Sequence, residues 1–206
     1  MNDTQALELL RQNPEVACKN FVFKYNNGPA HTGAHKEIYS GPCTAVCKKI
    51  AERVYEISAI KGKGTDYYFP YIPKSVGKCT APSGAPKGTI VMTGGMNGCA
   101  LQVDRNGNDY IFMHDANGAH ATTNNNTICR VTEKDYYGPG RTFVNFGLSK
   151  MSDTRGVLDE NMIICIKNDK GWGVYHCGIL VKPDEKGKII GYQGFNGFSS
   201  CITSFD

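Results

Sequence analysis

The chain has 206 residues, 40% of them hydrophobic and 20% charged, which suits one compact domain over residues 1–206 and leaves too little for two large ones. Its formal charge of +4 is spread over dispersed Lys and Arg with no run of five, so nucleic acid is not an expected partner. No stretch reaches the roughly 18 apolar residues a membrane span needs, and the polar start MNDTQALELLRQN lacks the basic and apolar regions of a signal peptide.

In chain order, residues 4–13 read as a short helix capped by Asp3 or Thr4, with Ala6, Leu7 and Leu10 toward a core. Phe21–Tyr25 reads as a brief strand within a loop rich in Gly, Asn and His. A second, stronger helix is expected from Ser40 or Gly41 to about Ser58, with Pro42 in its first turn and Val46, Ile50, Val54 and Ile57 at helical spacing. Residues 61–88, punctuated by Gly and Pro, read as a long surface excursion. From Thr89 the texture becomes short alternating strands, at 89–93, 99–103, 109–114, 128–131, 162–167, 173–181 and 189–194, with turns at Asn168–Gly171 and Asp184–Gly187. Helices followed by a run of strands imply an α+β fold, a mainly antiparallel sheet or β-sandwich with flanking helices.

Nine scattered cysteines without C-x-x-C spacing read as reduced thiols rather than a disulfide scaffold, because such frameworks mostly serve small domains that lack a core. Two of the chemistry-bearing residues are brought together by one hairpin. Asn106-Gly107 between alternating apolar runs predicts a type I′ turn, in which Arg105 pairs with Asn108 and Cys99 stands directly opposite His114. Cys99, Leu101 and Val103 then share a face with Tyr110, Phe112 and His114. A thiolate that attacks an amide carbon and an imidazolium that protonates the departing amine form a working acyl-transfer unit. Gly94, Gly95 and Gly98 permit a tight backbone whose N–H groups, from Asn97 and Gly98 to Cys99, can form an oxyanion hole.

Gly98-Cys99, a strand, a short turn and a strand ending in His114 resemble the catalytic segment of the cytotoxic necrotizing factor-like deamidases, a group that includes the Burkholderia lethal factor type and the chemotaxis receptor deamidases. The resemblance covers residues 93–118, and where members of the group show Leu-Ser-Gly-Cys followed by threonine, this chain has Met96-Asn97-Gly98-Cys99 followed by Ala100. It implies a Cys–His deamidase-like β-sandwich with a deep, narrow pocket, and hydrolysis of a glutamine side chain in a target protein with no cofactor. It also implies that Thr93, six residues before Cys99, orients His114 through its backbone carbonyl. The corresponding role is a secreted bacterial toxin or effector acting in the host cytoplasm on a GTPase or a translation factor.

Three other constellations compete. Cys43, placed in the first turn of the expected second helix, and His176, on a strand reading Tyr175-His176-Cys177-Gly178-Ile179, resemble the nucleophile and base of papain-like peptidoglycan amidases of the NlpC/P60 kind. His31 and His35 followed by Cys43 and Cys47 supply four possible zinc ligands, although the spacing fits structural zinc poorly and no metal is expected. The aromatic stretch Tyr67–Tyr71 suits either a recognition surface of a non-enzymatic binding module or cover over a core.

Overall fold

The computed structural model describes residues 1–26, 39–62, 64–136, 142–145, 158–186, 188–196 and 201–206. Helix α1 (Asp3–Gln12) begins at a reciprocal capping box between Asn2 and Gln5, one residue before the expected cap. Asn13 ends α1 and caps α2 (Pro14–Asn20), whose proline sits in its first turn. The strands are β1 (Val22–Tyr25), β2 (Gly41–Ala51), β3 (Val54–Lys61), β4 (Asp66–Phe69), β5 (Val76–Pro82), β6 (Ile90–Thr93), β7 (Ala100–Asn106), β8 (Asp109–Asp115), β9 (Thr127–Val131), β10 (Thr142–Asn145), β11 (Leu158–Asn168), β12 (Gly171–Pro183), β13 (Ile189–Asn196) and β14 (Cys201–Phe205). A 3-10 turn (Ala116–Gly118) follows β8, and a four-residue helix α3 (Glu133–Tyr136) follows β9.

The protein is mostly β-sheet with few helices, consistent with α+β. A ten-stranded mixed sheet has the order β1-β3-β2-β4-β6-β11-β12-β13-β10, with β14 also paired to β12. The pairs β1–β3 and β4–β6 are parallel and the others antiparallel. A second sheet, wholly antiparallel, has the order β5-β8-β7-β9.

Strand alternation divides the apolar residues into two layers. One face of the large sheet, including Phe23, Tyr55, Ile57, Tyr68, Met92 and Ile164, packs against Ala6, Leu10 and Ala17 of the two helices. Its other face, with Phe69, Val91, Ile163, Trp172 and Val174, meets Leu101, Val103, Tyr110 and Phe112 of the small sheet. The large sheet curls so that β1 comes against β11 and β12, closing the first layer.

Two expectations are corrected. The second helix does not form: residues 41–61 are the antiparallel pair β2 and β3. Cys43 and Ala45 are buried while Thr44 between them is exposed, a period of two. The chain reverses at Glu52-Arg53, with Arg53 at φ 61°. Val46 and Ile50 belong to one strand, Val54 and Ile57 to the other, so their helical spacing is accidental. Residues 61–88 are likewise no surface excursion, because β4 and β5 lie within them and Tyr68 and Phe69 are buried on opposite faces of the large sheet.

Asp66 fastens α1 to this sheet. Its buried carboxylate accepts both guanidinium N–H groups of Arg11, at 2.7 and 2.6 Å, together with the backbone N–H of Ala45 and of Ile90, each at 2.9 Å. Arg11 also donates to the carbonyl of Gly88 at 2.7 Å. Asp66→Ala strands a partly buried cation and two backbone donors, so urea denaturation should show a loss of about 3–5 kcal/mol. Lys87→Ala, which breaks the exposed pair with Asp169, should cost less than about 1 kcal/mol in the same measurement.

Candidate active site

The β7–β8 hairpin forms, but in a different register from the one its sequence suggests. Asn106 pairs with Asp109 and Arg105 with Tyr110, so the two-residue turn is Gly107-Asn108 rather than Asn106-Gly107. Gly107 has φ 61° and Asn108 is not among the residues with positive φ, which matches a glycine-first turn instead of type I′. The segment Asn-Gly-Asn-Asp contains both turns in overlap. The change slides β8 by two residues against β7, which preserves the faces and alters the partners. Leu101, not Cys99, therefore stands opposite His114. Cys99 lies one residue before the first ladder pair, Ala100–Asp115, and its position relative to His114 is diagonal on the shared face.

His114 is fully buried at the rim of the layer between the sheets. Its Nδ1 lies 2.8 Å from Thr93 Oγ1 at the end of β6. Thr93 thus contacts the imidazole through its side-chain hydroxyl. The Tyr71 ring packs against the imidazole at a centroid distance of 5.2 Å. Gly77, the register partner of His114 on β5, makes room for this segment, since a Cβ there would sit 1.7 Å from the Pro70 carbonyl oxygen.

Cys99 lines a pocket of about 520 Å³ together with Asn97, Asn117, Asn161, Tyr71, Gly94 and Gly95, and with Lys24, Tyr25 and Met162 at the mouth of the curled sheet. That volume fits a side chain or small ligand. Gly98 turns the chain into Cys99 with φ 75°, a conformation that favours glycine, and Cys99 Sγ is 3.9 Å from the Asn97 carbonyl oxygen. Burial pushes the Cys99 thiol up; backbone groups of Asn117 and Asn97 oppose this, and the Asp115 charge adds to it.

The far wall hangs on Asp115. Its carboxylate is fully buried, pairs with Arg130 at 2.8 Å and accepts the His120 backbone N–H at 2.7 Å. Arg130 also donates to Gln102 Oε1 at 2.5 Å and to the Gly118 carbonyl at 2.9 Å. These bonds hold the 3-10 turn in which Asn117, at φ 56°, faces the pocket. Burial works against ionisation of Asp115, but the Arg130 hydrogen bond, the backbone N–H groups of His120 and Ala121 and the Arg130 charge outweigh it and hold the carboxyl below its ordinary value.

Cys43 and His176 are not brought together. Cys43 lies on β2, not at a helix N-terminus, and burial followed by the Asp66 charge pushes its thiol up to about 12, against a smaller lowering by Arg11. It faces the layer beneath the helices, whereas His176 on β12 faces the opposite side of the same sheet, beyond β4, β6 and β11. His31 and His35 lie outside the described residues, while Cys43 and Cys47, four apart on a strand, are separated by roughly 13 Å of rise. No cluster of metal-ligating side chains occurs among the described residues. Of the aromatic stretch, Tyr68 and Phe69 are core and Tyr71 reaches the pocket.

Sequence reasoning missed Asn161. On β11 it accepts from His176 Nε2 at 2.7 Å and donates to Asn97 Oδ1 at 3.0 Å. An asparagine at the polar head of an apolar strand carries no local signal of this kind.

Gly77→Ala should displace Pro70 and Tyr71, exposing His114, which diethyl pyrocarbonate modification of the imidazole would read as faster labelling. Asp115→Asn should destabilise the protein at pH 7 by about 3 kcal/mol, because Arg130 loses its buried partner. Asp115 is depressed in the folded state, so the stability it supplies is present above the unfolded value, ordinarily 3.8, and is lost as pH falls through the lower folded one. The gap between wild type and Asp115→Asn in urea denaturation should therefore close below about pH 4.

No protein-family model matches the chain, and no curated protein sequence does. Among solved structures, the C-terminal domain of CNFy from Yersinia pseudotuberculosis is similar over 63% of this chain and 62% of that one, at 9% sequence identity and a TM-score of 0.30. This chain therefore spans less than two thirds of that domain.

Proposed function

We propose that the protein is a cysteine-dependent hydrolase of carboxamides, a protein glutamine deamidase in which Cys99 is the nucleophile and His114 the general base and then acid. The observation that carries this reading is the placement of Cys99 on a pocket walled by the side chains of Asn97, Asn117 and Asn161, with His114 on the same face and held at Nδ1 by Thr93. The motif resemblance of residues 93–118 to the cytotoxic necrotizing factor-like deamidases points the same way.

The chemistry follows from these groups. Burial keeps Cys99 as a thiol at neutral pH, so its proton must leave during attack rather than before it. With Nδ1–H donated to Thr93 Oγ1, the imidazole carries its lone pair on Nε2 and accepts that proton. Sulfur bonds to the carboxamide carbon, and the negative charge that gathers on the oxygen is met by backbone N–H groups at Gly98 and Cys99. The imidazolium then protonates the nitrogen, the C–N bond breaks and ammonia departs, leaving a thioester. Water, deprotonated by His114, attacks the thioester, and glutamate and the Cys99 thiol are released. In this proposal the target is a host protein, a GTPase or translation factor, and the chain acts as a secreted effector in the host cytoplasm.

Peptide mass spectrometry of treated host-cell lysate should reveal glutamine-to-glutamate conversion at discrete sites, lost by at least about 10³-fold in Cys99→Ala and in His114→Ala. Conversion that persists in Cys99→Ala would refute the reading. Thr93→Val should slow conversion about tenfold to a hundredfold, the equivalent of one lost buried hydrogen bond, while Thr93→Ser should retain it. Equal rates in the two would return the orienting role to the backbone.

A further inference from the structure

His176 and Asn161 are both buried, with 2% and 1% of their surface exposed, and the steps above use neither. A buried imidazole and a buried carboxamide are costly unless their polar atoms are bonded, and here a continuous series of bonds links them to the pocket. Asn161 Nδ2 donates to Asn97 Oδ1, which leaves Oδ1 of Asn161 facing His176. His176 must then carry its proton on Nε2 and donate it. The backbone carbonyl of Asn161 also accepts the Met96 N–H at 2.7 Å. One residue of β11 therefore grips both Met96 and Asn97, the two residues immediately before Gly98-Cys99. Met96 is itself fully buried, so the grip is anchored on the loop side as well.

We propose that His176, Asn161 and Asn97 form a positioning relay that fixes the loop delivering Cys99 and sets the amide-lined wall against which the substrate's carboxamide is held. The substrate-holding part of the inference rests on Cys99 being the nucleophile of the proposed reaction; the positioning of the Cys99 loop does not. His176 touches no reacting atom; it orients Asn161, which orients the loop. The pocket wall thereby presents asparagine amides in one fixed orientation, which suits a primary carboxamide, a group with one donor and one acceptor end.

Two readouts on the 206-residue chain separate the relay from the deamidase reading: the rate of Cys99 alkylation by iodoacetamide, itself a small carboxamide, and turnover of the dipeptide benzyloxycarbonyl-Gln-Gly. Asn161→Asp keeps the acceptor for His176 but loses the donor to Asn97, and His176→Phe removes the relay's origin. Each should slow alkylation at least about tenfold and lower kcat/KM for the dipeptide by a similar factor, whereas His176→Gln, which can still donate, should recover most of the wild-type rate. Wild-type alkylation in folded Asn161→Asp or His176→Phe overturns the relay, as does a failure of His176→Gln to rescue while folded. Should His176→Phe not fold, the isosteric Asn161→Asp carries the same test. If alkylation depends on the relay but dipeptide turnover survives in Cys99→Ala, the relay stands and the deamidase reading falls.

Discussion

Asp115 ends β8 with a carboxylate from which the small sheet's contribution to the site is suspended. With no surface of its own in water, it stays charged only because Arg130 and two backbone donors replace the lost hydration. Arg130, on β9, reaches back across β7 to Gln102 and the Gly118 carbonyl, so one guanidinium ties three strands and the turn after β8 into a single unit. That unit places Asn117 on the pocket and keeps a negative charge near Cys99, which adds to the effect of burial in raising the thiol.

The large sheet supplies the other half. β6 ends at Thr93, β11 brings Asn161 and β12 brings His176, all on the face turned toward the small sheet. The layer between the sheets is apolar along most of its length, through Ile163, Val174, Leu101 and Phe112, and is polar at the end where these residues gather. A low-dielectric interior beside a polar rim strengthens each hydrogen bond there and makes each unmade one costly. The geometry of the histidines is accordingly tightly specified, even though the pocket itself is open enough to admit a side chain.

Much of this was legible residue by residue. The strand run after Thr89, the Asn-Gly-Asn-Asp reversal and the shared face of Cys99 and His114 all follow from alternation and turn chemistry, because strand period and turn preference are local. Register was not settled, since two overlapping two-residue turns compete and packing against β5, β9 and the large sheet chooses between them. Residues 41–58 misled for a related reason: their apolar spacing satisfies a helix, yet β3 and β4 offer backbone partners on both sides, and pairing outweighs a modest propensity.

Taken alone, the order of residues determined that Cys99 follows a glycine-rich approach, that a hairpin carries it toward His114, and that both face the same apolar layer. Only the tertiary structure decided that Thr93 meets the imidazole through its hydroxyl, that Asn161 lines the pocket with His176 bonded behind it, and that Cys43 is sealed in the opposite layer. These facts depend on which strands become neighbours across a curled sheet. Strand order is set by the summed burial of two layers, a quantity that no window of sequence contains.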